Sequence, residues 1–421
     1  MKDQRAIDSL PLAGASRAQQ QPVQAVGSAP HRLILPTDAV SLNFHRVCSF
    51  FERQPRWFRR RLTRKARLSL TDIAFMLALG VALPAKAANI LVDIDIPYIT
   101  DDGRCSLIEA IKNANADTAL HSDCPAGSGV DVISLETGST HTFTRPFFST
   151  YALPYISTSL TIQGNGATLN VGAGVPVDTV IKVTPRGDLT LHDATISGDA
   201  GSGTASNTAR IQNNGSLQLS NVSVLLNPET VAGVVNRGSL NANNLLIDAP
   251  AGGWPYENGF GILNEGDLTA VDSAVQNLKF GPYSYGDRGA VINRGDMRLD
   301  DSSVSGHYSG YADITGIAGI DNAGSFQGSG LTVSGNINFY GTGAGIHNRS
   351  GAVLRLQNSD IRRNSDPSRI GAGTILANGG LAYLERVDIA ENDGSVSNSG
   401  HLELTESNVS GNWVSGPIIG N

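Results

Sequence analysis

Cysteine, methionine and tryptophan each occur only three times in these 421 residues, and aromatic side chains make up 6% of them. So small a stock of large side chains argues against two compact cores and for one long repetitive unit. Lysine is also scarce. After Ala87 only Lys112, Lys182 and Lys279 remain, none beside an acidic cluster, which leaves little for a lyase base to be drawn from. Residues 88–421 hold 17 basic against 33 acidic side chains, a net charge near −16, so binding to a phosphate backbone is disfavoured. No cofactor motif and no metal-ligand spacing is found, and the oligomeric state is left open. Glycine, by contrast, is abundant at 48 residues, which suits short strands joined by many tight turns.

The basic residues that do occur crowd into the start of the chain. Arg59, Arg60, Arg61, Arg64, Lys65 and Arg67 precede an apolar stretch from Ile73 to Leu83, which ends on Ala85-Lys86-Ala87. This is the layout of a secretory signal with an A-x-A cleavage site, and its apolar run is too short for a stable membrane span. Residues 1–60 are then an unstructured leader or a mis-assigned start, 61–87 a signal peptide, 88–145 a cap with the first coils, and 146–421 a repeat array. No integral span is expected after signal removal, and the setting is secreted, extracellular or cell-surface. Removing the leader takes Cys48 with it and leaves Cys105 and Cys124, an even pair whose reading in an oxidising compartment is a disulfide.

From about Ile181 one phrase recurs: an apolar residue, a spacer, Asn, a spacer, Gly, then alternating apolar positions. Its asparagines are Asn213, Asn236, Asn264, Asn293, Asn322, Asn348, Asn378 and Asn398, spaced 20 to 30 residues apart. A period in that range marks a solenoid, and the period-two alternation inside each copy marks strands rather than helices. The expected fold is all-β, a right-handed parallel β-helix whose coils bury their apolar faces by stacking. Asparagine at every turn suits an internal hydrogen-bonded ladder, with sugar binding as the alternative use, and the neighbouring Gly supplies a turn at positive φ. An open first coil would expose an apolar core. Just before it lies Cys105-Ser106-Leu107-Ile108-Glu109-Ala110-Ile111, where Ser106 and Glu109 have capping-box spacing and the apolar residues share one helical face.

The string CSLIEAIKNANA, with Cys124 and Gly-Ser-Gly-Val-Asp at 127–131, resembles the CSLREA-type N-terminal domain of bacterial secreted and surface β-helix proteins. Ile108 stands where that motif has Arg. The phrases GAGIHN at 343–348 and VSGN at 333–336 are similar to the right-handed β-helix repeats of surface proteins such as polymorphic outer-membrane proteins. The resemblance implies a cell-envelope or extracellular setting and no single activity.

Candidate chemistry is sparse. Asp272 and Asp301 each lie six residues past a repeat Gly, on adjacent coils, and are the candidates for a carboxylate pair or a loose cation site. The same column holds Asp193, Asn221, Asn244, Gly330 and Glu406, which is what a polar turn demands. Asp300-Asp301 with Gly306-His307 lacks the spacing of a polygalacturonase site, and two RGD tripeptides, at 186–188 and 294–296, fall on the repeat's own turn. Loops between coils carry Trp254, Tyr256, Tyr283, Tyr285, Tyr308, Tyr311 and Tyr340. Loops in register would set these along one side, as a strip that stacks on sugars or docks a partner, or as a small second core. The expected function is an adhesin-like or structural protein that binds polysaccharide or another surface protein, the alternative being a polysaccharide-active enzyme on the same scaffold.

Overall fold

The computed structural model describes residues 87–198, 209–227, 232–249, 260–280, 289–309, 317–339, 343–365, 373–413 and 419–420. The chain winds as a parallel β-solenoid. One coil shows the path: the strand Phe260–Asn264 turns through Glu265 and Gly266 into Asp267–Val271, bends at Asp272 into Ala274–Gln276, and bends at Asn277 into Lys279–Phe280. Each segment then pairs with its equivalent one coil on, with Leu263 opposite Ile292, Leu268 opposite Met297 and Val275 opposite Val304. Among the described residues stacking yields a nineteen-stranded long sheet, a ten-stranded sheet that carries the repeat asparagines, and a three-stranded sheet of short segments.

Alternation decides which side chains go inside. In Asp267–Val271, Leu268 and Ala270 are buried while Asp267 is exposed. A continuous apolar cluster accordingly runs from Ile90 to Val396 through every coil. No coil could bury its apolar face alone, so stability comes from neighbours stacked about 4.8 Å apart.

Glycine at the repeat turn has a different cause from the one the sequence suggests. Gly215, Gly238, Gly266 and Gly295 do not have positive φ. A Cβ on Gly238, Gly266 or Gly295 would instead lie 2.1 to 2.2 Å from the carbonyl oxygen of the glycine one coil before, so a side chain is excluded by stacking. Positive φ falls elsewhere, on the column Asp193, Asn221, Asn244, Asp272, Asp301, Gly330, Asn358, Arg386 and Glu406. These bend the long sheet between its two strand segments, a place where Asn, Asp and Gly are the least strained residues.

The first coils are closed by helix α1, Leu107–Ala116. Ser106 caps it: its hydroxyl accepts from the Glu109 amide, and the Glu109 carboxylate takes the Ser106 amide at 2.9 Å and the Thr100 amide at 3.0 Å. Leu107, Ile108, Ala110, Ile111 and Ala114 are fully buried in the common core. Ile108 therefore does a core residue's work at the position where the resembled motif has Arg. A Cys105–Cys124 disulfide closes the loop behind the helix, and buried Asn113 holds that loop by donating to the carbonyls of His121, Cys124 and Pro125. At the other end Leu402 and Val409 are half-buried and Leu404 is 36% exposed, while Ile419–Gly420 pairs back onto Val396–Ser397. Among the described residues no helix is long and apolar enough to cross a membrane.

Candidate functional site

The repeat asparagines stand inside the solenoid as one ladder. From Asn213 to Asn398 each side-chain amide donates to the Oδ1 of the next at 2.7 to 2.9 Å. The second amide hydrogen goes to a backbone carbonyl one coil on, as from Asn264 to Asp296 and from Asn293 to Ser325, both at 2.9 Å. All but Asn378 and Asn398 are fully buried, so the ladder offers nothing to a sugar.

A second ladder runs along the other turn, and sequence reading missed it. Asn336, Asn364, Asn392 and Asn412 link at 2.9 to 3.1 Å, and each also donates to an inner carbonyl, Val304 in the case of Asn336. Their signal is the Asn of VSGN recurring as Arg362-Arg363-Asn364 and Ala390-Glu391-Asn392. His307 occupies the preceding step. Its Nδ1 accepts from the Leu278 amide at 3.1 Å, its Nε2 lies 3.0 Å from the Val275 carbonyl, and its own amide donates to Asn336. An imidazole so placed is the neutral Nε2–H form, and complete burial lowers its pKa from 6.5 to about 3 against the opposing pull of the Val275 hydrogen bond. It is a structural surrogate for Asn rather than a free base.

Asp272 and Asp301 lie exposed on the outside of the left-handed turn column, with φ of 51° and 46°. The 294–296 tripeptide lies on the Asn turn, where Arg294 pairs with Glu265 at 2.8 Å and Glu265 pairs with Arg237 at the same distance. Of the proposed aromatic strip, Trp254, Tyr256, Tyr283, Tyr285, Tyr311 and Tyr340 lie outside the described residues. Tyr308 is half-buried with its ring 5.6 Å from that of Phe339. Ala209, Ala232, Val235, Phe260, Leu263 and Ile292 form a second apolar cluster on the outward face of the Asn sheet. Further along that face Asp321 is 1% exposed; Arg349 donates to it at 2.8 Å, and His347 Nδ1 lies 3.3 Å from its carboxylate. Burial alone would push its carboxyl up, but His347 and Arg349 hold it below its usual range.

A concavity lies on the outward face of the long sheet. It is a groove of about 410 Å³ whose floor includes Arg298, Gln327, Arg355, Tyr383 and Glu403. These five stand in direct register on successive coils. Arg355 sits 5.1 Å over the Tyr383 ring, and the His401 ring lies 5.7 Å from it on the next coil. Carboxylates flank this line: Asp300 is paired with Arg298 at 2.6 Å, and Glu385 accepts from Gln357 at 3.0 Å and from Arg386. Each floor residue is the third after a turn position, so the column was visible as Gly295+3, Gly324+3 and Gly380+3. Ala352 replaces the turn Gly in one coil and hides the pattern there. Among the described residues no cluster of three metal-ligating side chains is present.

No family model matches this chain, and no curated protein matches it.

Proposed function

We propose that this chain is an exported, adhesin-like β-solenoid that binds a polysaccharide along the outward face of its long sheet. The observation that carries this reading is the row Arg298, Gln327, Arg355, Tyr383 and Glu403, which presents one polar or aromatic side chain per coil to a shared groove. An aromatic ring offers a face to sugar C–H groups, and guanidinium and amide groups supply hydrogen bonds in fixed geometry. Export is supported by the leader's layout and by the Cys105–Cys124 bridge, which suits an oxidising compartment. The test is to pass the purified chain from residue 88 onward over immobilised neutral polysaccharides. Retention should fall at least tenfold in Tyr383→Ala, and equal retention of the variant would defeat the groove.

A second reading draws on the carboxylates Asp300, Glu385 and Glu403 in that groove: hydrolysis of a bound glycan by an acid and base pair. Assaying new reducing ends in the same incubations separates the two, because binding alone releases none.

A further inference from the structure

At the capped end of the solenoid a loop carries aromatic side chains outward in a fixed arrangement. Phe148 and Tyr151 form an antiparallel bridge, closed by the Phe147 amide to the Tyr151 carbonyl at 2.8 Å and the Tyr151 amide to the Phe148 carbonyl at 2.9 Å. Tyr151 then pairs with Thr179 and Ile156 with Val183, which seats the loop on the strand Ile181–Val183. Helix α1 fixes the far side: Asn115 donates to the Tyr155 carbonyl at 2.7 Å and accepts from the Ser157 amide at 2.9 Å. The rings of Tyr151 and Tyr155 meet edge to face at 5.1 Å, and that of Phe148 stands edge-on to Tyr155 at 6.5 Å. Over this assembly sits the Lys182 ammonium, 4.8 Å from the Tyr151 centroid, 5.1 Å from that of Tyr155, and 3.1 Å from the Tyr151 hydroxyl.

No ring of this cluster belongs to the main core. Phe148 is 61% exposed and Tyr155 36%, in a chain whose aromatic content is only 6%. Lys182 is one of three lysines after residue 87, in a region whose net charge is near −16. Long polyanions are repelled by that field, so a single held cation between ring faces selects a short acidic segment rather than a bulk polyelectrolyte. Rings stack on the apolar face of a pyranose, and an ammonium with three donors, one directed to Tyr151, can still meet a carboxylate.

We propose that Phe148, Tyr155 and Lys182 form a second glycan site that takes a uronic-acid residue, stacking its ring on the exposed face of Phe148, with Tyr155 at its edge, and pairing its carboxylate with Lys182. This site is separate from the long-sheet groove and does not require it. Calorimetry with tetrasaccharides of galacturonate, alginate and hyaluronan, in 50 mM and in 500 mM salt, tests it on the chain from residue 88 onward. At least one should bind, tenfold or more weaker at high salt, and at least tenfold weaker when its carboxylates are methyl-esterified. Lys182→Met should lose tenfold or more. So should Phe148→Ala, whose ring is 61% exposed, whereas Tyr383→Ala, which weakens the groove, should leave the affinity for these acidic tetrasaccharides as it is. No binding by any of the three overturns the proposal, as does equal binding of the ester, or a Lys182→Met that lowers the melting temperature and leaves affinity intact. A loss in Tyr383→Ala equal to that in Phe148→Ala would move the acidic sugar into the groove and also overturn it.

Discussion

Single side chains in this protein act through partners one coil away. Asn293 accepts from Asn264, donates to Asn322 and donates to the Ser325 carbonyl, all without solvent. Asn293→Leu would strand three buried polar groups at about 1 to 3 kcal/mol each, so a loss of at least about 3 kcal/mol is expected in urea denaturation. His307 gives a pH test. An unfolded histidine protonates near 6.5 and the folded one only near 3, so between these values the unfolded state holds more protons. Its contribution is therefore complete above pH 6.5 and is lost as the pH falls, by up to about 1.4 kcal/mol per pH unit. An asparagine in place of His307 would rebuild the ladder as Asn336 does, through a carbonyl equivalent to that of Val275. His307→Asn should thus flatten the stability profile between pH 6.5 and 4 while keeping stability at pH 7 within about 1 kcal/mol. An unchanged acid slope in the variant would show that other groups set it.

At the level of elements, α1 is a plug whose own length cannot sustain it. Ten residues make a marginal helix in water, and this one persists because it is capped, tied and pressed against the core. The 19-residue separation of Cys105 and Cys124 makes the bridge worth about 3 kcal/mol in the loop-entropy picture. The Cys105→Ser, Cys124→Ser pair should lower stability by that order and raise amide exchange first in α1. If thermal melts of the pair and the parent coincide, the bridge is not what holds the cap.

Across the whole molecule stability is close to a sum of neighbouring coil contacts, so it grades from end to end. Strands such as Val291–Asn293 are buried at every residue, whereas His401–Thr405 is exposed or half-exposed throughout. Hydrogen exchange should be slowest at 262–264 and 291–293 and fastest, among the strands, at 401–405 and 408–410. Uniform protection over these strands would mean that the array opens as one cooperative unit.

The sequence by itself determined the solenoid, the Asn ladder, the capped helix and the cysteine pair, because periodicity, cap spacing and alternation are properties of short stretches of chain. It also placed Asp272 and Asp301 in a turn column, while leaving their chemistry open. Only the tertiary structure decided why the turn glycines cannot carry a Cβ, that His307 replaces an Asn, that Arg298, Arg355 and Tyr383 share a groove, and that Lys182 meets Tyr151 and Tyr155. Those facts depend on which residue of one coil lies above which residue of the next. Coils of unequal length, such as the 20 residues from Asn378 to Asn398 against the 30 from Asn348 to Asn378, erase that register from the linear chain. Stacking restores it, because each strand must pair with its neighbour to satisfy its backbone.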